Sequence, residues 1–176
     1  MKRLFFVVPV LVFVGLAVLF WAGLNGSPPS ALPSPLIGKP APEFTLPALD
    51  AEAQNFTRTE LAQGRPTIIN FWASWCAPCR VEHSTLEALA ARGGVALYGV
   101  NYKDDPKAAR GFLKELGNPF GRINTDRDGR VAIDWGVTGV PETFVVDGNG
   151  VIRVHYAGPL SEAVLQRLIL PAMAAN

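Results

Sequence analysis

Cys76 and Cys79 are the two cysteines of this 176-residue chain, set two residues apart in the run Trp75-Cys76-Ala77-Pro78-Cys79. Thiols at that spacing can cycle between dithiol and disulfide. A mostly apolar run, Thr67–Trp72, leads into them and a periodic stretch over 80–91 follows, so the pair falls at a strand-to-helix junction. A sulfur at a helix N-terminus feels unpaired N–H groups and the positive end of the dipole, and both favour thiolate. Cys76 is therefore read as the more exposed, attacking sulfur. Cys79, one turn deeper, resolves the mixed disulfide. Other chemistries fit less well. So tight a loop constrains little of the unfolded chain, which weakens a structural disulfide. Covalent haem attachment needs a histidine directly after the second cysteine, where Arg80 stands. A zinc set of Cys76, Cys79, His83 and His155 lacks a matching spacing. No metal and no cofactor beyond a redox-active Cys76–Cys79 disulfide is expected, and both histidines read as partly exposed surface residues.

The totals bound the rest. Net charge is +1, and the basic residues form no block, so nucleic acid is not an expected partner. Lys2 and Arg3 precede an uncharged run from Leu4 to Leu24, close to the roughly 20 residues a bilayer span needs. Charges on that side put the N-terminus in the cytoplasm and the remainder outside. Residues 1–24 are thus read as a transmembrane anchor, with a cleaved signal peptide as the rival. Residues 25–35 carry four prolines and three serines and read as a semi-extended tether. Residues 36–176 form one domain of ordinary size.

Within that domain, Phe44-Thr45-Leu46 predicts a short strand, Asp50 to Asn55 a turn, and Phe56 the start of a second strand. Thr57-Arg58-Thr59-Glu60 has the pattern of a capping box, opening a helix that Gly64 ends. Thr67 to Ala73 is a buried strand. Pro78 fits the first turn of the following helix, where its missing N–H is harmless. That helix buries Val81, Leu86, Leu89 and Ala90 and stops at Gly93-Gly94. Val95 to Asn101 is a second strand, and Asp105-Pro106 opens a helix with Phe112, Leu113 and Leu116 inside and Gly117 as its stop. A short helix covers Asp128 to Trp135. Strands Thr143 to Asp147 and Val151 to Tyr156 join through Gly148-Asn149-Gly150, and an amphipathic helix covers Leu160 to Met173. The order is βαβ followed by ββα, an α/β fold with a mixed central sheet and helices on both faces.

From about Leu36 onward, the chain resembles thioredoxin-fold proteins through Phe71-Trp72-Ala73-Ser74-Trp75-Cys76-Ala77-Pro78-Cys79 and Val140-Pro141-Glu142-Thr143. The resemblance implies that Pro141 is cis and faces the dithiol. It also implies that Trp75, Val140 and Pro141 bind a substrate peptide as an added strand. Four further runs narrow the match: Arg80-Val81-Glu82-His83, Gly99 to Asp105, Leu116 to Phe120, and Asp134 to Phe144. Together they are similar to the membrane-anchored CcmG/DsbE family of cytochrome c maturation. Two positions depart from ordinary thioredoxin: Asn70 stands where a buried aspartate is usual, and Ser84 where a helix-kinking proline is. The resemblance makes Glu82 and Glu142 an acidic pair that compensates, with Glu82 handling a proton for Cys79.

The implied function is reduction of apocytochrome c cysteines, directly or through an accessory thiol protein. The dithiol is restored by a membrane electron donor resembling DsbD or CcdA, on the periplasmic side of the inner membrane. The alternatives are a broader-client extracytoplasmic oxidoreductase or isomerase, and a module that holds apocytochrome without turnover.

Overall fold

The computed structural model describes residues 2–24, 34–50 and 53–174, in two units, Met1–Leu32 and Pro33–Asn176. The first holds helix α1, Lys2–Leu24, with Pro9 inside it. Its side chains are described at positions 8, 9 and 11–21, all exposed. Among the described residues no helix is long and apolar enough to cross a membrane. Most of the segment read as a tether lies outside the described residues, as do two positions of the expected 50–55 turn.

The second unit contains strands β1 (Thr45–Leu46), β2 (Phe56–Thr57) and β3 (Thr67–Trp72), helix α2 (Ala77–Ala91), strand β4 (Ala96–Tyr102), helix α3 (Pro106–Leu116) and strand β5 (Arg122–Asp126). Helix α4 (Arg130–Asp134) and strands β6 (Glu142–Val146) and β7 (Ile152–Ala157) follow. The closing helix, α5, covers 162–174, with a π-helical Leu165–Ile169 between two α-helical pieces. β1 and β2 pair as a small antiparallel ribbon, and the others form one sheet in the order β5-β4-β3-β6-β7. The β3, β4 and β5 strands are parallel, and β6 and β7 run antiparallel.

The strand pleat sends alternate residues to opposite faces. In β3, Ile68 and Trp72 pack with Leu86, Leu89 and Phe112 of α2 and α3, whereas Ile69 and Phe71 pack with Phe44, Trp135 and Phe144. The same alternation turns Asn70 toward α2. In β6 it puts Glu142 on the face of Phe144 and Thr143 on the face of Val145.

Three expectations need correction. Strand β5 adds an edge strand that the βαβ-then-ββα order lacked. Its sequence, Arg-Ile-Asn-Thr-Asp, has a single strongly apolar residue, yet Asn124, Thr125 and Asp126 are buried. Asn124 Nδ2 donates to Leu46 O at 3.0 Å, and Asp126 Oδ2 accepts the Ala132 N–H at 2.8 Å; burial of polar side chains through such bonds leaves no hydrophobic period to read. In α2, Val81 is 73% exposed, and the inner face is Cys79, Glu82, His83, Leu86 and Leu89. The true stripe is helical in spacing but partly polar. The helix after β2 is a single 3-10 turn, Arg58–Leu61, ending before Gly64. Glu60 Oε2 does accept the Thr57 N–H at 2.9 Å, as the sequence predicts.

Candidate active site

The chain leaves β3 at Trp72 and enters α2 through Cys76, whose extended backbone (φ −86°, ψ 107°) makes it the N-cap. Cys76 Sγ accepts the Cys79 N–H at 3.0 Å. Pro78 sits in the first turn, where no intrahelical bond is forfeited. The two sulfurs form a disulfide. Both cysteines are buried, Cys76 at 4% and Cys79 at 2% exposure, so the difference in exposure between them is small. What separates the sulfurs is position: one caps the helix and receives an N–H, and the other lies inside it. Exposed apolar surface beside the pair comes from Trp75 and Val81.

The loop carrying Trp75 is clamped by residues that sequence reading did not single out. Asp104 accepts the Ser74 N–H at 2.6 Å, the Ser74 hydroxyl at 2.8 Å and Asn101 Nδ2 at 2.9 Å. Trp75 Nε1 donates to Lys103 O at 3.1 Å, and Lys103 turns through a φ of 44° to present it. The run Asp104-Asp105-Pro106 was legible as a helix start, and Asp105 does cap α3. Nothing local marks the preceding aspartate as a partner for a residue 30 positions away.

Opposite the dithiol, the Val140–Pro141 bond is cis. Val140 O lies 3.4 Å from Cys76 Sγ. Pro141 is buried and Val140 half-buried. Glu142, 2% exposed, pins the approach to this bond. Its Oε1 accepts the Thr138 N–H at 2.8 Å, the Thr138 hydroxyl at 2.7 Å and the Gly139 N–H at 3.0 Å. Its Oε2 is 2.5 Å from His155 Nε2. Burial pushes the Glu142 carboxyl up, but hydrogen bonds from His155, Thr138 and Gly139 outweigh it and hold the pKa below the ordinary 4.5.

Glu82 stands on the other face of the sheet. It is 1% exposed, and its two oxygens accept from Asn70 Nδ2 at 2.9 Å and the Leu160 N–H at 2.7 Å. Desolvation dominates, and the pKa rises from 4.5 to about 7 despite both bonds. Asn70 is thus more than a missing aspartate. Its Nδ2 reaches both Glu82 and Thr143 Oγ1, the latter at 3.1 Å. The two histidines belong to separate networks. His83 is buried, with Nε2 3.1 Å from Gly117 O and its ring edge-on to Phe112. His155 is bound to Glu142. His83 is therefore buried where partial exposure was expected, whereas His155 is half-buried with its ring engaged.

The arrangement can exchange disulfides. A helix-capping sulfur faces a backbone carbonyl across a shallow gap, and a buried acid titrating near neutrality lies on the inner face of the same helix as Cys79. Comparison with known proteins agrees. The Redoxin family matches residues 36–169. The thiol:disulfide interchange protein HelX of Rhodobacter capsulatus is 47% identical over 94% of this chain and 93% of its own length. DsbE of Escherichia coli K12 is 44% identical over 97% and 94%. Among solved structures, MTB DsbF in its mixed oxidised and reduced forms superimposes with a TM-score of 0.64 at 28% identity, covering 73% of this chain and 94% of that one. The chain belongs to the CcmG/DsbE family of thiol:disulfide interchange proteins and is a thiol-disulfide oxidoreductase with a thioredoxin-like fold.

Proposed function

We propose that the protein is a periplasmic reductant of apocytochrome c cysteines in cytochrome c maturation, acting on the apoprotein or on an accessory thiol protein. The observation that carries the chemistry is the Cys79 N–H directed at Cys76 Sγ at 3.0 Å, which favours thiolate at the capping position. In the reduced protein, Cys76 thiolate attacks one sulfur of the client disulfide. A mixed disulfide forms and one client thiolate departs. Cys79, as thiolate, attacks Cys76 Sγ, the second client thiolate departs, and the Cys76–Cys79 bond carries away the two electrons' worth of oxidation. Glu82 is the acid-base group on the Cys79 side, its carboxyl poised near 7. Glu142 holds the loop before Pro141, and Trp75, Val140 and Pro141 receive the client backbone.

The periplasm is kept oxidising, so the dithiol must be restored by delivered electrons; a membrane donor resembling DsbD or CcdA is the proposed source. The uncharged run from Leu4 to Leu24 supports a single-pass anchor in the inner membrane, with the second unit on the periplasmic side. No resident cofactor is proposed. The test is a trap. Cys79→Ser should accumulate a Cys76 mixed disulfide with an oxidised Cys-x-x-Cys-His peptide in preference to glutathione disulfide. Equal trapping of both, read by intact mass, would reject the apocytochrome reading in favour of broad-client exchange.

A further inference from the structure

His155 has no assigned part in this chemistry, yet it is bound to the carboxylate that holds the active-site loop. β6 and β7 are antiparallel with Phe144 directly opposite His155. Glu142, two residues earlier on β6, shares their face of the sheet and lies on the diagonal. The imidazole stacks on Phe144 with ring centres 4.1 Å apart and planes 16° from parallel. Phe144 is itself fully buried, edge-on to Trp135 and Phe71. The ring is therefore held by the core, not by solvent, and its Nε2 reaches Glu142 Oε2 at 2.5 Å. Since that carboxylate is the acceptor, Nε2 carries the hydrogen.

We propose that His155 is a positioning residue for disulfide exchange: by occupying Oε2 of Glu142 it fixes the carboxylate so that Oε1 holds Thr138 and Gly139, and with them the Val140 carbonyl facing Cys76. The geometry divides the work. One oxygen is taken by the imidazole, and the other gathers three donors from the two residues that lead into Val140. Without a donor on Oε2, a buried charged oxygen is unpaired. The carboxylate then turns to share its remaining donors, and the loop loses its single setting. His155 touches neither sulfur nor client. Its effect falls on how the client backbone is received, so it acts on KM more than on the sulfur chemistry. The inference rests on the proposed reading that this loop receives the client peptide.

The test uses the full chain in detergent micelles with His155→Leu, His155→Gln and His155→Asn. Gln places an amide N–H near the position of Nε2; Asn is too short to reach Oε2. With an oxidised Cys-x-x-Cys-His peptide, Leu and Asn should raise KM about tenfold, the worth of roughly one charge-assisted hydrogen bond. Gln should restore it, and the reduced Cys76 thiol should titrate as in the parent for all three. The amide NMR signals of Thr138 and Gly139 should move in Leu and Asn and return in Gln. Unmoved amide signals with unchanged KM overturn the proposal, as does a Gln variant as impaired as Asn. If Leu fails to fold, the Asn–Gln pair decides alone. A parent protein that shows no preference for the peptide over glutathione disulfide defeats the client reading instead, and the amide signals still decide the positioning role.

Discussion

Glu82 and Glu142 are the same residue type, both almost fully buried, on opposite faces of the sheet that carries the dithiol, and their carboxyls are displaced in opposite directions. Burial raises both. The difference lies in the donors and in the deeper seat of the Glu82 carboxyl. Glu82 accepts one side-chain amide and one backbone N–H. Glu142 accepts two backbone N–H groups, a hydroxyl and an imidazole. Two bonds leave desolvation dominant; four overcome it. The first acid can therefore gain and lose a proton near neutral pH, and the second stays ionised as a fixed bracket for the loop. A buried carboxylate's role follows from how many donors surround it, and burial alone does not decide it.

The comparison breaks most sharply at Glu142. Glu142→Ala removes a buried carboxylate that two backbone N–H groups, a hydroxyl and an imidazole share, and should cost about 3 kcal/mol of stability; urea unfolding measures it. A loss below about 1 kcal/mol would mean that the loop is not held this way.

Next comes pH. Glu82 has a folded pKa of about 7 against an ordinary 4.5, so the folded state binds the extra proton. Its contribution is full below pH 4.5 and is lost as pH rises toward and through 7, a change of about 3 kcal/mol. Glu142, lowered from 4.5, acts in the opposite sense: its contribution is present above pH 4.5 and is lost as pH falls through its folded value. The two windows meet near 4.5 without overlapping. Subtracting the unfolding curves of Glu82→Gln from those of the parent between pH 4.5 and 8 should isolate the first window. A flat difference would assign Glu82 an ordinary pKa and remove it as the acid-base group.

The smallest expected effect is at Asn70. Asn70→Asp puts a second carboxyl in contact with Glu82, and the pair then titrates as a unit with its upper apparent pKa above 7. Stability at pH 8 should fall by about 1–3 kcal/mol. Carboxyl carbon NMR follows the titration, and an upper value at or below 7 would show that Asn70 does not face Glu82 in solution.

What the sequence by itself determined is the chemistry and its local stage. The Cys76–Cys79 spacing, the apolar run before it, Pro78 in the first helical turn, the Asp105-Pro106 start and the Gly148-Asn149-Gly150 hairpin all depend on residues close along the chain, where periodicity and turn chemistry act directly. The cis geometry at Pro141 came from resemblance rather than from local pattern. Tertiary structure decided what depends on distant neighbours. Val81 and His83 exchanged places between inside and outside because α2 is rotated to bury Glu82. Strand β5 hid its burial in hydrogen-bonded polar side chains. The carboxyls of Glu82 and Glu142 took opposite displacements from partners such as Leu160, 78 positions away from Glu82. A pKa is set by the dielectric and the donors within a few ångströms, and only the folded chain brings those together.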